Sequence, residues 1–132
     1  MEKLKVSVKL HCPAKEVFTG WLNDKVHSIF TGGEKAITSP NEGGKFSVCN
    51  GSITGTNVEI FPHKKIIQKW RSSAFEASDE DSLIELFFTF KDDYTLLTIT
   101  HTNIPDGMGE DLKKEWKTKY FSHMKKHFDK KA

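Results

Sequence analysis

The sequence predicts an α+β domain in which a curved antiparallel sheet wraps around one long C-terminal helix. The order of elements along the 132 residues carries this prediction: a strand, two short helices, a series of short β-rich runs, and a final helix with a wide apolar face. A chain of this length suits a single domain with one core. We therefore expect one domain over residues 1–132, with a sheet of about seven strands.

The first strand and the helix after it are predicted by two different periods. In residues 4–10, apolar side chains alternate with Lys or Ser, which is the period of a strand with one buried face. Pro13 then suits the start of a helix. Because Val17 and Trp21 recur at helical spacing, the sequence predicts a short helix after Pro13.

A second short helix is predicted after Asn23, whose side chain can cap it. Val26, Ile29 and Phe30 would face inward. Gly32 and Gly33 would end the helix, since glycine readily adopts the backbone conformation needed there. This helix is therefore expected to bury one apolar face.

From residue 35 the pattern changes to β-rich runs separated by turn residues. The runs cover residues 36–38, 45–49, 52–61, 64–71, 83–91 and 94–102. Asn50 and Gly51 have the composition of a tight turn, and short connections of this kind join antiparallel strands. Gly55 interrupts its strand and is expected to mark a bend or bulge in the curved sheet.

The last predicted helix runs from about residue 109 to residue 130 and has a wide apolar face. Its apolar residues recur at intervals of four: Leu112, Trp116, Tyr120, Met124 and Phe128. At about 100° per residue this row drifts over roughly 160° of the helix surface. Lys114, Lys125 and Lys126 fall on the opposite side. This pattern is typical of a helix that lies on a broad concave sheet.

Composition disfavours several classes of function. The net charge is +2 and the sequence pI is about 8.5, below the value of roughly 9 that is typical of a dedicated nucleic-acid-binding domain. No stretch approaches about 18 apolar residues, and the start lacks the apolar run of a signal peptide. The two cysteines have neither zinc-site nor disulfide-framework spacing, which favours free thiols. We expect a cytoplasmic protein that binds neither nucleic acid nor membranes.

The histidines of the last helix raise the question of a metal site. His123 and His127 are four residues apart on one helical face, a spacing that can hold a metal ion. A complete site would need a third ligand, for which His101 and Cys49 are the candidates. Otherwise the two histidines lie at the helix edge, hydrogen-bonded or solvated. Because spaced pairs often lack further ligands, we predict no metal site.

Candidate catalytic groups are few. Glu59, Glu85 and Asp111 could supply a carboxylate to a cavity, but the sequence identifies no second titratable group that would converge on them. Motifs for a serine nucleophile, a phosphate-binding loop and a dinucleotide site are absent from the sequence. Cys49 is expected to be a buried or edge thiol. The sequence therefore predicts no catalytic residue, no cofactor and no enzymatic activity.

The order of several short motifs resembles one known family. These motifs are Gly43-Gly44-Lys45-Phe46, Gly51, Gly55, Pro62, Ile66, Lys69-Trp70-Arg71, Ile104-Pro105, Trp116, Tyr120-Phe121 and Phe128. They resemble the family of the activator of the ninety-kilodalton heat-shock-protein ATPase, and most closely the C-terminal domain of the eukaryotic co-chaperone. The family often has Gly where this chain has Glu115. The resemblance places the chain in the START-like, birch-pollen-allergen-like superfamily and implies its helix-grip fold.

The sequence is compatible with two main functions. The resemblance implies a non-catalytic binding domain, a stress-related cofactor of a heat-shock chaperone that uses an exposed sheet face or the loops at one end. The alternative is a carrier or sensor of a small lipophilic ligand in a cavity between sheet and last helix. The residues expected to line that cavity are Trp70, Phe88, Leu97, His101, Trp116, Tyr120, His123 and Met124. Trp116, Tyr120 and Met124 could equally be core, and an enzyme of the superfamily's cyclase or hydrolase kind is a third hypothesis.

Overall fold

The computed structural model describes residues 1–129 and shows a six-stranded antiparallel sheet around a C-terminal helix. The strands are β1 (Glu2–Leu10), β2 (Lys45–Val48), β3 (Ile53–Phe61), β4 (Lys65–Ser72), β5 (Ser82–Lys91) and β6 (Tyr94–Ile104), and the two short helices are α1 (Ala14–Trp21) and α2 (Asp24–Phe30). The sheet order is β1-β6-β5-β4-β3-β2. Each strand of β2 to β6 therefore pairs with its neighbour in sequence, and β1 pairs with β6, as the predicted meander requires. In residues 1–129 no helix is both long and apolar enough to cross a bilayer.

The strand predicted over residues 36–38 does not form, so the prediction of about seven strands was one too many. Ile37 makes only an isolated bridge to Ser47, with both N–H···O bonds at 2.8 Å. The next amide, that of Thr38, donates to the Asp24 carboxylate at 2.7 Å instead of continuing a ladder. The segment therefore ties the end of β2 to the start of α2.

The helix α2 begins where predicted, and Phe30 and Val26 contact the core as expected, but the third predicted inward residue, Ile29, does not. Asn23 caps the helix by accepting a hydrogen bond from the Val26 amide at 3.0 Å. Ile29, predicted to face inward, is 40% exposed, whereas His27 is 3% exposed. The core-facing side of this seven-residue helix is centred on His27 and Phe30, and Ile29 lies about 200° around the helix from His27. His27 therefore faces the core, although the spacing of apolar residues did not identify it as an inward position.

The C-terminal helix is continuous but is not a uniform α-helix. It comprises α3 (Gly109–Glu115), a π-helical segment (Trp116–Phe121) and α4 (Ser122–Asp129). The wider turn of the π segment lowers the rotation per residue, which offsets the drift that strict four-residue spacing would produce in an α-helix. Trp116, Tyr120 and Met124 therefore stay buried along one line. The predicted helix end at Lys130 lies outside the described residues.

Gly55 does not mark the bulge of β3. The register between β3 and β4 shifts between Asn57 and Glu59, further along the strand. A Cβ at Gly55 would instead overlap the Lys69 carbonyl oxygen and the ring of Phe46. The glycine is needed for close approach, because Phe46 folds over its backbone.

Candidate functional site between the sheet and the C-terminal helix

The interface between the sheet and the C-terminal helix is filled by aromatic rings. Trp116 and Tyr120 of the π segment have ring centroids 4.9 Å apart. Trp21 of α1 lies 5.1 Å from Tyr120, and Trp70 of β4 lies 5.9 Å from Trp116. All four side chains are buried. The rings connect α1, the sheet and the last helix into one cluster.

The residues predicted to line a cavity differ in burial and in the elements that they contact. Those that are buried are Trp70, Phe88, Leu97, His101, Trp116, Tyr120 and Met124. Trp70, His101, Trp116 and Tyr120 meet in or beside the ring cluster, whereas Phe88 packs against Phe18 of α1, at 5.7 Å. His123 is only partly buried, and it approaches Gly32 after α2 rather than the sheet.

The structure of residues 1–129 gives the His123 and His127 pair no third metal ligand. The Nδ1 atom of His123 bonds to the Lys119 carbonyl of its own helix, and the ring of His127 packs 6.0 Å from that of Phe30. In residues 1–129 no three His, Cys, Asp or Glu side chains form a group that could hold a metal ion. Both histidines lie against α2 and the turn that ends it.

His101 is a neutral ring with two hydrogen-bond partners. The indole N–H of Trp116 donates to its Nδ1 at 3.1 Å. Since indole nitrogen is a donor only, Nδ1 accepts and the proton resides on Nε2. Nε2 then donates to Ser82 Oγ at 2.8 Å, and that hydroxyl donates to the Trp70 carbonyl at 2.7 Å. Burial lowers the pKa of His101 to about 3.

His27 has the opposite tautomer. Its Nδ1 lies 2.8 Å from the Trp21 carbonyl oxygen, an acceptor only, so the proton resides on Nδ1. Its Nε2 therefore accepts from the Tyr120 hydroxyl at 2.8 Å. The Tyr120 oxygen lies 3.9 Å from Cys49 Sγ. Because the Tyr120 hydroxyl gives its one proton to His27, the Cys49 thiol donates to Tyr120, and the order of donation is Cys49 to Tyr120 to His27 to Trp21. Burial is the main cause that lowers the pKa of His27 to about 4 and raises the pKa of the Cys49 thiol.

A third buried connection ties α1 to the loop before β2. The Trp21 indole N–H donates to Gln68 Oε1 at 3.3 Å, and Gln68 Nε2 donates to Asn57 Oδ1 at 2.8 Å. Asn57 in turn donates to the carbonyl of Ser39, at 2.8 Å, and that of Asn41, at 3.1 Å. Sequence reasoning missed His27, Gln68 and Asn57. The available signal was their inward phase: each shares the face of its element with buried apolar residues.

Little empty space remains between these groups. A space of about 10 Å³ lies between Trp21, Gln68 and Tyr120, and another of about 10 Å³ lies on the other side of Tyr120, beside Trp116 and Leu112. A space of that size holds about one water molecule. With every ring nitrogen of His27 and His101 bonded and both rings neutral near pH 7, the interior has the chemistry of a satisfied polar core. Glu59, Glu85 and Asp111, the carboxylates considered for acid–base chemistry, lie outside this interface at exposed or partly exposed positions.

A comparison with models of known protein families shows which family the chain belongs to. A model of the family described as "Activator of Hsp90 ATPase homolog 1-like protein" matches residues 11–129. The chain belongs to this family. A relative described as an activator of 90 kDa heat shock protein ATPase homolog, from Dictyostelium discoideum, is 28% identical over 125 residues, covering 95% of this chain and 32% of the relative. The mouse homolog 1 is 27% identical over 86% of this chain and 33% of its own length.

Solved structures of the Hsp90-activator-like family and its neighbours share the fold. An HSP90 activator from Plasmodium falciparum is 27% identical, with a TM-score of 0.79 over 92% of this chain and 91% of its own. The structure of Ara h 8.0201 shows the same fold at 10% identity, with a TM-score of 0.73 over 96% of this chain and 97% of its own. The α+β helix-grip fold predicted from sequence is thereby confirmed. The chain spans about a third of the length of the curated relatives it matches.

Proposed function

We propose that this chain is a non-catalytic binding domain that acts as a cofactor of a ninety-kilodalton heat-shock chaperone in the cytoplasm. Membership of the Hsp90-activator-like family supports a chaperone partner. The observation that carries the proposal is the filled grip. Because the space around Tyr120 amounts to about one water on each side, binding would have to use the outer surface of the domain.

The test is an ATPase assay with the purified cognate chaperone. The chain is added in increasing amounts, and the rate that remains with a chaperone inhibitor is subtracted. We expect a saturable rise in the chaperone's rate of ATP hydrolysis, and no ATP hydrolysis by the chain alone. A rate that stays at its basal value at high micromolar concentrations, together with no complex in analytical ultracentrifugation, would count decisively against it.

The alternative function is a carrier of a small lipophilic ligand. The observation that favours it is the π segment Trp116–Phe121 in the aromatic cluster, because π-helical turns are frequent at functional sites. Binding would require the aromatic cluster to open. A thermal-shift screen against fatty acids and aromatic metabolites tests this function, since a ligand at about 100 times its Kd stabilises the folded state by about 2.7 kcal/mol. A screen that leaves the melting temperature unchanged would contradict it.

A further inference from the structure

The outer face of the sheet is not covered by any helix of the described chain. The inward positions of the strands are buried, whereas the alternate positions are exposed or partly exposed along β1, β4, β5 and β6. The hydrogen bond between Ser7 Oγ and Thr98 Oγ1, at 3.1 Å, lies on this exposed side. The outer face therefore presents a sheet surface to solvent.

A staggered row of apolar side chains crosses this face, and we call it the apolar strip. Its members are Phe61, Ile67, Phe87 and Leu96, one from each of β3, β4, β5 and β6. Phe61 and Phe87 both pair with Lys65, so Ile67, two residues further on, is their diagonal neighbour. Phe87 pairs with Thr98, which places Leu96 at the next diagonal position. Phe61 is 46% exposed.

Lysines surround the apolar strip. Those whose register places them on the outer face are Lys5, Lys9, Lys45, Lys65, Lys69 and Lys91, against the carboxylates of Glu59 and Glu85. In the described part of the chain, the ion pairs join Met1 to Asp106, Arg71 to Asp81 and Lys119 to Glu34, so none uses these lysines. Lys65 Nζ lies 4.8 Å above the ring of Phe61, and Lys9 Nζ lies 5.0 Å above that of Tyr94.

We propose that the outer face is the docking surface for an acidic amphipathic segment of a partner protein, with its apolar side chains on the apolar strip and its carboxylates on the surrounding lysines. This face carries six lysines against two glutamates, whereas the net charge of the whole protein is only +2, so the face is more basic than the protein as a whole. Unpaired lysines around apolar anchors complement a segment that carries Asp or Glu beside Leu or Phe. The inference deepens the proposed function, because it locates the surface that a protein partner would use.

Other occupants fit this surface less well. A second copy docked by the same face would bring its lysines against these lysines, and like charges across an interface are destabilising. A nucleic acid would bring its phosphates over Glu85 on β5 and Glu59 on β3, which lie in one cross-strand row with Ile67 between them. An acidic amphipathic segment avoids both conflicts, because its apolar side can cover the middle of the sheet.

The first experiment measures binding of a labelled amphipathic peptide of about 18 residues with one Leu face and one Glu face. Fluorescence anisotropy is recorded for the full chain, for Lys9→Glu with Lys65→Glu, and for Phe61→Ser. The matched control is Lys117→Glu with Lys125→Glu, which changes the net charge equally at two exposed positions of the C-terminal helix. All substituted side chains are exposed or partly exposed, and circular dichroism verifies that each variant is folded.

We expect the wild-type chain and the helix control to bind the peptide within about twofold of each other, and the outer-face charge variant to bind about tenfold more weakly. Phe61→Ser should also weaken binding, and salt should weaken it further. Three results would overturn the inference: no binding of the peptide by the wild-type chain, equal binding by all variants, or tighter binding of a single-stranded RNA that displaces the peptide.

The second experiment repeats the chaperone ATPase assay with the same variants. Loss of stimulation by the outer-face variants, with the helix control active, supports docking on this face. Full stimulation by the outer-face variants overturns it while leaving the proposed function intact. A wild-type chain that does not stimulate the chaperone refutes the proposed function instead, and the peptide result then decides the inference independently.

Discussion

Gly55 shows how one residue on the inner face of the sheet is constrained by its neighbours. In the register of the sheet it lies between Phe46 of β2 and Trp70 of β4. A Cβ there would meet Phe46 Cε2 at 2.7 Å and would overlap the Lys69 carbonyl. The sequence identified Gly55 as a weak point of the strand, but the reason is steric and involves residues distant in sequence.

We expect Gly55→Ala to destabilise the fold by about 2 kcal/mol or more, because the backbone of β4 has to move to admit the methyl group. Urea unfolding at pH 7 measures the change. Gly33→Ala is the comparison: a Cβ there meets no atom within 4 Å, but the φ of Gly33 is +104°. That variant should lose only about 1 kcal/mol, from backbone strain. Equal losses for the two variants would contradict a steric role for Gly55.

At the scale of elements, the C-terminal helix packs against α2 as well as against the sheet. Tyr120, in the π segment, donates its hydroxyl proton to His27 Nε2, and Gly32 after α2 leaves room for the ring of His123. The spacing of apolar residues predicted the helix and its inward line. It could not predict the π segment, since the lower rotation per residue there depends on the rings that the helix meets.

Tyr120→Phe tests the connection between the last helix and α2. The variant keeps the ring in the aromatic cluster but leaves Nε2 of the buried His27 without its donor, which should cost about 1–3 kcal/mol. Chemical unfolding followed by tryptophan fluorescence gives the value. Tyr94→Phe, on the partly exposed side of β6, should stay within about 0.5 kcal/mol of wild type. A Tyr120→Phe variant as stable as that control would show that the hydrogen bond contributes nothing.

At the scale of the whole molecule, the two buried neutral histidines make stability depend on pH. The folded-state pKa values are about 4 for His27 and about 3 for His101, both lowered from 6.5 mainly by burial. The unfolded chain therefore takes up protons first as pH falls. The contribution of the two histidines to the free energy of unfolding is complete above pH 6.5. It is lost as the pH falls from 6.5 to the folded-state pKa values.

Each histidine should lower the free energy of unfolding by about 2 kcal/mol between pH 8 and pH 5. His101→Gln should remove about half of this pH dependence, whatever its effect on stability at pH 8. Urea unfolding at a series of pH values between 8 and 5 gives the slope for the wild type and the variant. A variant slope equal to that of the wild type would show that His101 does not remain neutral in the folded chain.

The sequence was informative wherever a local period or a turn residue decided the structure. The alternation in β1, the Asn23 cap and the turn at Asn50 and Gly51 each depend on neighbouring residues, and all three are present. All of the predicted cavity residues except His123 are buried, and their role in lining a ligand site stays a prediction. The extra strand at residues 36–38 and the inward Ile29 were wrong because distant polar contacts and the docking angle of α2 decide those positions.

By itself, the sequence determined the order of the elements, the antiparallel meander and the apolar face of the last helix, because each follows from a period of two or of about 3.6 residues. Only the tertiary structure decided that the grip is filled. Filling depends on how rings from α1, β4 and the C-terminal helix meet, and on the tautomers of His27 and His101, each of which satisfies the buried polar atoms beside its own ring. These are contacts between residues far apart in the chain, and no local period encodes them.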